Sequence, residues 1–143
     1  MRNSDAPSTR AVFFQTREAK TKTLRLLEIA ATHFERKEHL LILVEDEKAM
    51  DYVDELLWKS PPTSFLPHIA TNGPTTELIA ITRTKQNINQ ARSAFNLCST
   101  PLLIEGPFRL IYDFEDLTSP GKQQLSALRF DAYKKAGFLI EAR

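Results

Sequence analysis

Leu40-Leu41-Ile42-Leu43-Val44 runs directly into Glu45-Asp46-Glu47, and the reading of this junction decides the fold. Five apolar residues without a polar break suit a strand covered on both faces, as in parallel sheets whose crossovers lay helices on each side. The three carboxylates mark a helix start, where negative charge meets the positive end of the dipole. Ala49, Met50, Val53, Leu56 and Leu57 then follow at helical spacing as far as Trp58. Upstream, Arg17 to Lys37 carries a stripe of Leu24, Leu27, Ala31 and Phe34, widened by Leu26, Ile29 and Ala30. Before it, Ala11-Val12-Phe13-Phe14 reads as a first strand. Strand, helix, strand, helix opens a doubly wound α/β layout. The expectation is one α/β domain over residues 10–143. It has three layers, a mostly parallel sheet and helices on both faces, and is Rossmann-like without a dinucleotide fingerprint. Residues 1–9 are polar, contain Pro7, and read as a disordered leader.

Downstream, Asn72-Gly73-Pro74 is a turn, Glu77–Thr82 a third strand, Thr84–Arg92 a polar loop and Ser93–Ser99 another strand. Pro101–Glu105 stays ambiguous, Gly106-Pro107 breaks it, and Phe108–Phe114 is expected as the final strand. A last helix runs from Thr118 or Ser119 to Ala136. Either hydroxyl can cap it, Pro120 fits its first turn, and Gly137 suits its end with Phe138 folding back. The wheel puts Leu125, Leu128, Ala132 and Ala136 inward. It puts Gln123, Ala127, Phe130, Asp131 and Lys134 on the opposite face, and sends Lys122, Arg129 and Lys135 mostly to other sides.

The charges nearly cancel, with 19 basic and 18 acidic side chains, which speaks against a nucleic-acid-coating surface. A single cysteine forms no internal disulfide and fits a reducing compartment. There is neither an apolar run of membrane-spanning length nor a signal-peptide core, so a cytoplasmic protein is expected.

Chemistry is sparse. The four glycines stand at 73, 106, 121 and 137, and the first strand leads to its helix through Gln15-Thr16, so no phosphate-cradling loop can be assembled. His33, His39 and His68 lack partners at metal-ligand spacing. His33 reads as surface or half-buried, and His68 as a brace for the turn before it. Cys98 reads as core rather than nucleophile. Asp113, Glu115 and Asp116 read as solvent and helix-dipole groups more than as metal ligands. No catalytic, cofactor or metal residue is nominated.

One stretch stands out: Leu56-Leu57-Trp58-Lys59-Ser60-Pro61-Pro62-Thr63-Ser64-Phe65-Leu66-Pro67-His68. The prolines stop the helix at Trp58, the sole tryptophan, and Phe65 follows on the far side of the break. Both rings could anchor a partner, or could seal the core edge. This stretch, Glu45-Asp46-Glu47-Lys48, and the ending Tyr133-Lys134-Lys135-Ala136-Gly137-Phe138 together resemble the chi subunit family of bacterial DNA polymerase III, a clamp-loader accessory subunit. The resemblance implies a non-catalytic adaptor in DNA replication with two protein contacts and only indirect contact to DNA. Trp58 and Phe65 match the family's surface for a psi-type clamp-loader subunit. The second contact holds the acidic, Phe-terminated tail of single-stranded-DNA-binding protein against basic side chains of the last helix. Here Gln123, Ala127 and Asp131 occupy those basic positions, Phe130 replaces a tyrosine, and Lys134 keeps one charge. The expectation is a weakened, altered or absent tail contact. Two other readings remain open: a nucleotide- or small-molecule-binding α/β enzyme with its site near Glu45 and Asp46, and an adaptor that has lost its replication partners.

Overall fold

The computed structural model describes residues 9–59, 66–104 and 108–143. In chain order the elements are β1 (Arg10–Thr16), α1 (Ala19–Arg36), β2 (Leu40–Leu43), α2 (Glu47–Lys59), β3 (Ile69–Ala70), β4 (Ile79–Thr82), β5 (Ser93–Asn96), β6 (Leu110–Asp116), α3 (Pro120–Lys135) and β7 (Leu139–Ala142). The strands form one sheet in the order β3-β4-β2-β5-β6-β1-β7, and every described pairing is parallel. Arg10 lies opposite Leu110 on one side and Leu139 on the other.

Alternation along each strand builds the two cores. Val12, Phe14, Leu40, Ile42, Ile79, Ile81, Phe95 and Phe114 face Leu26 and Ala30 of α1 and Met50, Val53 and Leu57 of α2. Ala11, Phe13, Leu41, Leu43, Ala80, Ala94 and Ile111 face Tyr133 of α3, with Ile88, Ala91, Cys98, Leu102 and Phe108 from the connecting segments. Two helices therefore cover one face of the sheet and α3 the other, giving the expected three layers. All four residues of β2 are buried, which is why its run is unbroken.

The structure corrects several expectations. Phe108–Phe114 is not the final strand, because β7 follows α3 and pairs with β1. In α1, Leu24 is exposed and the buried face is Leu26, Ala30 and His33. His33 is not a surface residue: burial lowers its pKa. One ring nitrogen meets the Glu38 carbonyl at 3.1 Å and the other the Tyr112 hydroxyl at 3.0 Å. Asp113, Glu115 and Asp116 all lie inside β6, and Asp113 and Asp116 are buried rather than solvent groups.

In α3 the expected inward leucines are exposed, Leu125 by 40% and Leu128 by 59%, while Ser126, Arg129 and Tyr133 are buried. Phe130, expected on the outer face, is half-buried, its ring 5.5 Å from that of Phe13. The ends of α3 agree with the sequence. Ser119 accepts from the Lys122 N–H, Pro120 opens the first turn, and Gly137 turns the chain at φ +89°. Phe138 then stacks on Tyr133 with centroids 5.4 Å apart.

Candidate functional site

α2 delivers Trp58 to the surface with 44% of the residue exposed. The chain then passes through 60–65, so the proline break and Phe65 lie outside the described residues. Where it returns, the Leu66 N–H donates to the Leu57 carbonyl at 2.9 Å, tying the exit back to the end of α2. His68 is buried beneath Trp58, the ring centroids 4.6 Å apart and the planes tilted by 50°. One imidazole nitrogen meets the Leu66 carbonyl, and the other the Asp54 carboxylate at 2.8 Å. The histidine thus braces the returning chain, as its place in the sequence suggested. Asp54, one turn before Trp58 on α2, carried no signal of its own.

The second surface lies on the other side of the sheet. Gln123, Ala127, Phe130 and Asp131 of α3 come together along a groove of about 290 Å³, closed by Phe13, Glu115 and Ala142. Lys134 is exposed but does not line it. Among the described residues the groove has two carboxylates, Glu115 and Asp131, and no cationic lining; Glu115 accepts one bond, from the Gln15 amide at 3.1 Å. Sequence reasoning found the α3 residues and missed Glu115. The available signal was period two along β6, which sends Asp113 and Glu115 to the same face of the sheet as α3.

A buried polar cluster sets which face α3 shows. Asp113 is 1% exposed and accepts from Arg129 Nε at 3.1 Å, the Tyr133 hydroxyl at 2.8 Å, Asn96 Nδ2 at 3.2 Å and the Phe114 N–H at 2.7 Å. Arg129 also donates to the carbonyls of Phe114 at 3.0 Å and Ser99 at 3.2 Å. Burial pushes the Asp113 carboxyl above its ordinary range, and the Arg129 guanidinium with the Tyr133, Phe114 and Asn96 donors offsets only part of that. Burial likewise raises Tyr133. Arg129 and Tyr133 are four residues apart, so two adjacent turns of α3 are fastened to one carboxylate. That fixes the helix about its axis and turns Ala127 and Asp131 outward.

A crevice of about 430 Å³ opens at the C-terminal ends of the strands, lined in part by Lys22, Glu45, Tyr52, Cys98, Lys122 and Leu125. This is where parallel α/β sheets place ligands, yet its carboxylates already serve the fold. Glu45 accepts from the N–H and hydroxyl of Ser99, both at 2.9 Å. Asp116 accepts from Lys22 at 2.8 Å and from Thr118. Burial would raise Asp116, but the Lys22 and Thr118 bonds outweigh it and hold the carboxyl at about 2. Nearby, Asp46 Oδ1 accepts from the Ala49 N–H at 2.9 Å, capping α2. Burial, with Glu45 alongside, pushes the Cys98 thiol up to about 11, the behaviour of a core cysteine. Among the described residues no group of three or more His, Cys, Asp or Glu side chains is arranged to hold a metal ion, and no helix is long and apolar enough to cross a membrane.

Residues 9–141 match the family model described as DNA polymerase III chi subunit, HolC. The chain is also similar to DNA polymerase III subunit chi of Escherichia coli (strain K12), at 32% identity over 114 residues, covering 78% of this chain and 77% of that protein. The match spans the sheet, α2 with Trp58, and α3 with its groove. The chain belongs to the DNA polymerase III chi subunit family, and is thus an accessory subunit of the replication machinery.

Proposed function

We propose that the chain is a non-catalytic adaptor that docks on a psi-type clamp-loader subunit through the surface around Trp58, with Phe65 as the second anchor. The observation that supports it most is the half-exposed indole on a platform clamped from beneath by His68 and Leu66. A tryptophan held in place before binding loses little freedom on docking, which suits an interface hot spot. Trp58→Ala is expected to weaken capture of the psi-type subunit by about 30-fold or more, the equivalent of ~2 kcal/mol. The thermal midpoint should hardly move. A large drop in midpoint with intact capture would place Trp58 in the core and refute the docking role.

The α3 groove supports a second contact of altered kind. In the family reading this face receives the acidic tail of single-stranded-DNA-binding protein, linking the clamp loader to coated DNA. Here Glu115 and Asp131 would face that tail with like charge, and Lys134 stands outside the groove. The adaptor therefore holds the tail weakly or not at all. Titration with an acidic peptide ending in Phe tests this: micromolar binding lost in Lys134→Ala would overturn it. The two surfaces lie toward opposite edges of the sheet. Five to six strand spacings of ~4.8 Å put them roughly 25–30 Å apart, enough for two partners at once.

A further inference from the structure

We propose that His68 is the positioning residue of the Trp58 surface, a proton-dependent clamp that fixes the indole so that docking follows a single proton. The inference rests on the docking role proposed above for Trp58. Both ring nitrogens of His68 face acceptors, the Leu66 carbonyl on one side and an Asp54 oxygen at 2.8 Å on the other. A carbonyl cannot donate, and neither can an ionised carboxylate, so the ring meets both only when each nitrogen carries hydrogen. The His68 side chain is 0% exposed, so water replaces neither bond. The ring is then an imidazolium, placed under an indole 4.6 Å away, where cation and π-face attract.

The surroundings leave Asp54 as the counter-charge. β3 and β4, against which the C-terminal part of α2 lies, carry no ionisable side chain. On α2, Glu55 and Lys59 pair with each other at 2.6 Å. Among the described residues Asp54 alone forms an ion pair with the ring, and Asp51, a turn earlier, does not. Loss of one proton puts a lone pair against Leu66 or Asp54. It opens the clamp and removes the cation from beneath the indole.

The sequence provides its own reporter, since Trp58 is the only tryptophan. In the full chain at about pH 5, a long-range proton–nitrogen NMR spectrum should show both His68 nitrogens carrying hydrogen. As pH rises to about 9, Trp58 emission should increase in a one-proton curve, because an imidazolium quenches an adjacent indole. His68→Gln should flatten the curve, and Asp54→Asn should move it to lower pH. Capture of the psi-type subunit should weaken about tenfold over the same range, the scale of one charge-assisted hydrogen bond. In His68→Gln it should not vary with pH. A flat wild-type curve, a curve that survives His68→Gln, or a bare nitrogen at about pH 5 overturns the proposal. If His68→Gln does not fold, the displacement in Asp54→Asn decides the matter, and an unmoved curve there overturns it. If emission titrates as expected but the psi-type subunit binds at no pH, the docking role falls and the clamp stands.

Discussion

Replacing Arg129 with methionine tests the cluster that orients α3. The guanidinium is buried and binds Asp113, two backbone carbonyls and Ser126. Methionine fills much of its volume and supplies none of those donors. Asp113, 1% exposed, then keeps only the Tyr133, Asn96 and Phe114 donors and has no counter-charge. Breaking one side of a buried ion pair costs about 3–5 kcal/mol, because the remaining charge stays buried. Against a total stability of ~5–15 kcal/mol, the urea midpoint should fall by about a fifth or more with an unchanged slope. Adding Asp113→Asn should restore part of the loss, since the amide needs no cation and its oxygen still accepts from Tyr133 and Asn96, leaving the Phe114 N–H facing the amide nitrogen. The double-mutant cycle reads that coupling directly. A loss below about 1 kcal/mol in Arg129→Met, or no recovery in the pair, would refute the view that Asp113 is ionised and held by Arg129.

Other consequences can be checked with simple measurements. The Asp116 carboxyl is held at about 2, below its ordinary 3.8, so it adds stability above pH ~4 that is lost as pH falls toward 2. With Lys22 partly exposed, that contribution is about 1–2 kcal/mol, and Asp116→Asn should remove this part of the acid-side slope in pH-dependent unfolding curves. Cys98 is buried with its thiol raised to about 11, so alkylation at pH 8 should be slow in the native protein and rapid in urea. Lys37 ends α1 in the left-handed region at φ 56°, so Lys37→Gly should raise stability by about 0.5–1 kcal/mol, read as an upward shift in the denaturant midpoint.

Much of the frame was legible because burial on two faces leaves a plain record. Leu40–Val44 could hardly be anything but a central strand, and Ser119-Pro120 and Gly137 bracket α3 as their backbone preferences require. What escaped was polar burial. Counting apolar spacing in α3 turned Leu125 and Leu128 inward, whereas Arg129 and Tyr133 point there because Asp113 needs them. The clue lay in β6, where Asp113 sits between Tyr112 and Phe114. A charge flanked by rings in a buried strand requires a partner from elsewhere, and only the fold shows which. β7 escaped because Leu-Ile-Glu-Ala is short and half exposed, with Glu141 bridged to Arg10 and Arg143. At the Trp58 surface the tryptophan and His68 were visible, while Asp54 looked like any acid on an outer helix face.

The pairing of β1 has a consequence for how the chain comes to be folded. Synthesis delivers Ala11-Val12-Phe13-Phe14 ahead of the other described strands, and both neighbours of that strand, β6 and β7, come a hundred or more residues later. Pairings this distant along the chain form slowly. Until then the strand presents four core residues and two unpaired edges to whatever is nearby, the kind of surface that aggregates or recruits a chaperone. The β2–β4 and β2–β5 ladders need nothing beyond Asn96, so they can close before β6 is complete, and half of the sheet waits for its other half. β1 is made long before both of its neighbours and is among the last strands to be locked in place.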